Sequence, residues 1–146
     1  AQEKEFCRNA ISEYKKLSDV IQMGDLYRLQ SPYDGKGLAS LMYVSPEKDE
    51  AVFYWYKTEH FCNQHLPVVR MAGLDAGKYY KIREINRIDS QPLECEGKVY
   101  SGKYLMGHGL DFPYNHILPY WEQLDYASRV IHLTEADGTE VNVASK

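Results

Sequence analysis

Apolar residues recur at helical spacing before residue 24 and alternate at strand spacing after it. Phe6, Cys7, Ala10, Ile11, Tyr14, Leu17, Val20 and Ile21 fall within about half a circumference at roughly 100° per residue. Arg8, Ser12, Lys15, Lys16 and Asp19 take the other side. The pattern predicts one amphipathic helix over residues 3–22. Gly24, just past the last periodic residue, is expected to stop it in a left-handed conformation. So wide an apolar arc needs a large surface to cover it, and no second helix of comparable length is visible. Either the helix lies across a sheet, or its partner lies outside these residues.

Strand spacing then begins. Residues 26–30 form a first predicted strand, and the turn formers of 31–37, with Asp34-Gly35 the clearest signal, lead to a second over 38–45. A polar turn at 46–49 precedes a third over 50–57. There Val52, Tyr54 and Tyr56 oppose Phe53 and Trp55, so both faces are apolar and the strand is expected to be central and covered on both sides. Further strands are predicted over 67–72, 78–85 and 98–100, the last interrupted by Ser101-Gly102-Lys103 before Tyr104-Leu105-Met106. The segments 126–134 and 140–143 complete the set, joined by a hairpin turn at 136–139. Residues 57–66, 86–97 and 111–124 read as irregular connections. The expected fold is all-β, an antiparallel sandwich of about seven or eight strands preceded by one helix.

Composition adds little to this. At 146 residues, with 44% apolar and 26% charged, the chain suits one soluble domain. Thirteen tyrosines favour half-buried pleated faces. A net charge of −4, with basic residues scattered among acidic ones, argues against a nucleic-acid groove or a membrane patch. No stretch is long and apolar enough to span a bilayer, and the charged opening Ala1-Gln2-Glu3-Lys4-Glu5 is unlike a signal peptide. Nothing names a compartment. Cys7, Cys62 and Cys95 are too few and too far apart for a disulfide framework; the odd count leaves at least one thiol free or paired between chains, and buried or partly buried free thiols are expected.

Candidate chemistry is sparse. His60, Cys62 and His65 lie within six residues, but their spacing fits no zinc pattern and a fourth ligand is missing, so no metal is expected. The acids Asp34, Asp49, Asp75 and Asp137 fall in turns, where solvated turn formers belong, and no pair of carboxylates is set up for glycosidic chemistry. Gly35-Lys36-Gly37 and Ser101-Gly102-Lys103 are too short for phosphate loops, and no serine sits in a nucleophile elbow. Trp55 is expected in the core. Tyr114, Tyr120 and Trp121, in a proline-containing loop, are the one set of aromatics placed to contact a sugar, or else to fold back over the sheet.

An ordered series of segments carries a resemblance. Gly24-Asp25-Leu26-Tyr27-Arg28-Leu29-Gln30-Ser31-Pro32 resembles the junction, in α-galactosidases of glycoside hydrolase family 36, between the catalytic barrel and the C-terminal sandwich. Ala51-Val52-Phe53-Tyr54-Trp55-Tyr56, Arg70-Met71-Ala72-Gly73-Leu74-Asp75 and Tyr79-Tyr80-Lys81-Ile82 follow in the family's order. Tyr100-Ser101-Gly102-Lys103-Tyr104-Leu105-Met106, Gly109-Leu110 and Asp125-Tyr126-Ala127-Ser128-Arg129-Val130-Ile131 complete it.

The resemblance implies that residues 1–23 are the last helix of a catalytic barrel not represented here, and that 24–146 are the C-terminal β-sandwich. It implies a parent that hydrolyses terminal α-galactosides with retention and without cofactor. The family's two catalytic aspartates lie upstream in the barrel, and no segment here matches their surroundings, so no catalytic residue is assigned. The expected partner is the parent's own barrel. A carbohydrate-binding module and a subunit-interaction domain forming a homo-oligomer are the alternatives.

Overall fold

The computed structural model describes residues 2–59, 67–87, 92–112 and 126–138. Helix α1 runs Gln2–Met23, and Leu17 and Val20 on its apolar arc are buried. It lies across a sheet, the first of the two arrangements its pattern allowed, over strands β2 (Leu38–Val44) and β3 (Glu50–Lys57). Gly24 does not adopt the expected left-handed conformation, since it is absent from the residues of positive φ. Its N–H still donates to Val20 O at 3.0 Å, and the chain passes directly into β1 (Asp25–Gln30). Glycine is required there by space: a Cβ would stand 2.3 Å from Val20 O and 2.7 Å from Val44 O.

The remaining strands are β4 (Tyr79–Ile85), β5 (Val99–Ser101) and β6 (Ala127–Ala136). All pairings are antiparallel, in the order β1-β2-β3-β6-β4-β5. The all-β antiparallel fold is thus as expected, with six strands among the described residues where seven or eight were predicted. β3 occupies the interior position its two apolar faces required. The segments 60–66, 113–125 and 140–143 lie outside the described residues.

Two predicted strands take other forms. Residues 67–72 make only one isolated bridge, Val69 with Leu110. The Val69 and Met71 amides donate to Leu110 O and Leu105 O, so this backbone is satisfied by loop and helix carbonyls and not by a ladder. Tyr104-Leu105-Met106 belongs to a short helix, α2 (Gly102–Gly107), because the Ser101 hydroxyl caps it by accepting the Tyr104 N–H at 3.1 Å.

These irregular segments form the layer over one face of the sheet. Met42, Phe53, Trp55, Tyr80, Ile82, Ile131 and Leu133 project from the strands into the main core. Val69, Met71, Leu74, Leu105, Leu110 and Phe112 meet them from the other side. The Phe112 ring stacks on Trp55 at 5.3 Å and on Phe53 at 5.6 Å. The opposite face carries a smaller cluster, in which Leu17 and Val20 of α1 sit on Val52 and Ile85 with Ile21, Tyr43, Tyr54 and Val130 around them.

Candidate functional site

The helix-bearing face is where charged side chains converge. Val52, His132 and Arg83 stand in register across β3, β6 and β4. Arg83 Nη2 donates to Glu13 Oε2 of α1 at 2.6 Å and lies 3.3 Å from His132 Nδ1. A guanidinium has donors only, so Nδ1 is the accepting nitrogen and the imidazole proton lies on Nε2. That Nε2 donates to Glu50 Oε1 at 2.6 Å. The Lys16 ammonium donates to Glu13 Oε1 at 2.8 Å, and the Glu13 carboxyl is held below its ordinary range by that hydrogen bond and then by the one from Arg83. The chain Lys16–Glu13–Arg83–His132–Glu50 therefore ties the middle of α1 to three strands, beside the apolar seat of Leu17 and Val20.

A second cross-link lies under the other face. Glu84 carries a carboxylate that is almost fully buried, and it accepts from Arg129 Nη1 at 2.6 Å and from the Leu93 amide at 3.3 Å. Glu96 accepts from the Glu84 amide at 2.5 Å. Together they fix the connection from β4 to β5, and nearby Cys95 is buried, its thiol pushed up to about 11 chiefly by burial. An unionised buried thiol is a poor nucleophile.

What α1 does not bury is equally defined. Cys7 is exposed, against the burial expected of the thiols, because the sheet does not reach its side of the helix; Ile11 at 57% and Tyr14 at 52% are exposed along the same N-terminal half. On the adjoining sheet, Tyr43, Tyr54 and Tyr56 form a row: Tyr54 meets Tyr43 edge-on and Tyr56 in parallel, both at 6.4 Å. Tyr56 remains 38% exposed.

The sequence-predicted site residues fall apart from this face or outside the described residues. Tyr114, Tyr120 and Trp121 lie outside them, as do His60, Cys62 and His65. Trp55 is buried in the core. Asp34 and Asp75 accept the Lys36 and Gly77 amides, and Asp49 accepts from the Ser45 hydroxyl at 2.6 Å, the roles expected of turn acids. Among the described residues no group of three or more His, Cys, Asp or Glu is placed to hold a metal ion, and no helix is long and apolar enough to cross a membrane. Sequence reasoning missed Glu13, Arg83, His132 and Glu50. The available signal was Glu13 itself, a carboxylate inside the apolar arc of the helix.

These features define an all-β domain on an antiparallel sheet, carrying a clamped helix with an unfilled apolar stripe. Residues 38–133 match the family model described as the glycosyl hydrolase family 36 C-terminal domain. Alpha-galactosidase AgaA of Geobacillus stearothermophilus is 30% identical over 112 residues, which is 77% of this chain and 14% of AgaA. The bifunctional alpha-galactosidase/sucrose kinase AgaSK of Mediterraneibacter gnavus is 31% identical over 112 residues, 77% of this chain and 11% of that protein. The crystal structure of GH36 alpha-galactosidase AgaB from Geobacillus stearothermophilus aligns with a TM-score of 0.73 and 29% identity, over 92% of this chain and 16% of that one. The chain belongs to the glycoside hydrolase family 36 C-terminal domain family, and it spans a small part of the length of the relatives it matches.

Proposed function

We propose that this chain serves as the non-catalytic C-terminal domain of an α-galactosidase, a parent that hydrolyses terminal α-galactosides with retention. The observation that carries the reading is the match of 38–133 to the C-terminal domain model, in relatives of which the chain spans about a seventh. On this reading the two carboxylates of retaining hydrolysis belong to the upstream catalytic barrel, and Gly24 marks the boundary between the barrel's last helix and the β-domain. The domain's work is mechanical. It holds α1 by an apolar seat and an ion-pair chain, and a rigid support away from the chemistry protects a site where small misplacements are costly in rate.

The test is an assay on a chromogenic α-galactoside. The parent chain is expected to turn it over, and the 146-residue chain alone to give no turnover above buffer. Turnover by the purified 146-residue chain, or a parent inert toward α-galactosides but active on another glycoside, overturns the reading.

A further inference from the structure

We propose that His132 is a proton-operated catch for α1: its neutral imidazole holds the Arg83 guanidinium where that group grips Glu13, and protonation at Nδ1 expels the guanidinium and loosens the helix from the sheet. This device belongs to the chain's own fold and is independent of any parent's activity.

One nitrogen has two duties here. Arg83 Nη2 donates to Glu13 Oε2 at 2.6 Å and faces His132 Nδ1 at 3.3 Å. The second contact needs a lone pair on Nδ1. An imidazolium has hydrogens on both nitrogens and no acceptor, so a proton on Nδ1 sets donor against donor and cation against cation. The two partners differ in their freedom to respond. The His132 side chain is 10% exposed, and its Nε2 is held by Glu50 Oε1 at 2.6 Å, a bond that becomes a full ion pair when the ring is charged. The Arg83 side chain is 49% exposed and has solvent to enter. The ring therefore stays and the guanidinium leaves, taking the same Nη2 away from Glu13. Without His132 to fix it, the Arg83–Glu13 contact is a half-exposed pair of long side chains, a kind that contributes little to stability.

The surrounding charges leave His132 as the trigger. Glu50 faces it from β3, and Arg83 from β4, with Lys81 further along the same face opposite Thr134. From α1, Glu13 and Lys16 reach it through Arg83. Its same-face neighbours on β6, Val130 and Thr134, do not titrate. Arginine and lysine keep their charge in mild acid. Glu13 is held below its ordinary range by Lys16 and Arg83, so it remains a carboxylate there. Tyr54, which borders the seat of α1, is raised by burial and takes no part on the acid side. Imidazole is the side chain whose charge ordinarily changes between about pH 5 and pH 8.

Hydrogen–deuterium exchange of the chain, resolved by peptide mass spectrometry and corrected for the intrinsic pH dependence of amide exchange, tests the catch. Amides of residues 13–20 should open at least about tenfold more at about pH 5.5 than at about pH 7.5, while those of β2 change little. Exchange at the His132 ring carbon between its two nitrogens, followed on the same samples, gives the imidazole's own midpoint, and the two midpoints should coincide. In His132→Gln the rise should shrink to less than about twofold. Arg83→Met, at a half-exposed position, should open α1 to the acid level at both pH values, and it keeps the test decisive if the buried substitution does not fold. Equal exchange of α1 at the two pH values overturns the proposal. So does a midpoint in the carboxylate range, which belongs to Glu13 or Glu50. A rise shared by β2 reports general acid unfolding and overturns it too, as does a rise that persists in either variant.

Discussion

Tyr80 shows how single residues join parts of the chain far apart in sequence. It is fully buried on β4, and its hydroxyl donates to Lys48 O at 2.7 Å and accepts from the Asp75 amide at 3.0 Å. One phenol thus satisfies a carbonyl in the β2–β3 turn, where Lys48 has φ 55, and an amide in the segment before β4. Tyr80→Phe keeps the ring and strands both groups. It should lower stability by about 1–3 kcal/mol, read as a lower denaturant midpoint at unchanged m. The alternation of 78–85 puts Tyr80 on one side with Ile82 and Glu84, but does not say which side faces inward. The identity of its hydroxyl partners was not legible, because both are backbone groups set by turn geometry.

At the level of elements, α2 is the instructive case. Tyr104-Leu105-Met106 looks like a resumed strand, and Ser101-Gly102-Lys103 like an interruption. The cap reverses that reading: Ser101 accepts the Tyr104 N–H, and Gly102 lets the helix start against Asp75 O, which a Cβ would meet at 2.0 Å. Ser101→Ala should cost about 0.5–2 kcal/mol in equilibrium unfolding while leaving β5 paired. Elements with strong periodicity were legible: α1 from its apolar arc, and β2 and β3 almost to the residue. Short pieces such as 67–72 and α2 were not, since three to six residues hold too little pattern to outweigh a capping serine or a tertiary hydrogen bond. The helix-bearing site was half legible. Its bare apolar arc stood out, but the Arg83–His132 link depends on strand order, which no local pattern encodes.

For the whole molecule, pH reads out the buried and paired groups together. Glu13 is depressed by Lys16 and Arg83, and Asp49 chiefly by the Ser45 hydroxyl. A depressed carboxyl binds its proton less readily when folded, so its contribution is present above its ordinary value and is lost as pH falls through the folded one. On the alkaline side Cys95 is raised to about 11 by burial, and Tyr54, Tyr80 and Tyr100 are raised chiefly by the same cause. Raised groups favour the folded state below their ordinary values and lose that contribution as pH rises through the folded ones. Stability should therefore peak near neutrality and fall on both sides. Cys95→Ala should flatten the fall between about pH 9 and pH 11, as measured by melting temperature across pH. An alkaline limb unchanged by the substitution would contradict the buried thiol.

Strand order also has a consequence for how the chain assembles. β6 lies between β3 and β4, and His132 is in register with both Val52 and Arg83. The seat of α1 uses Val52 from one side of that strand and Ile85 and Arg83 from the other. As the polypeptide emerges from the ribosome, the hairpin of β2 and β3 can form early, but its inner edge stays open until β6 arrives. Pairing of Glu50 with Thr134 closes a long loop, the kind of contact that slows folding and leaves an apolar edge exposed to neighbours meanwhile. Helix α1, which precedes every strand of this sheet, thus receives its complete platform only from β6, the latest of the described strands.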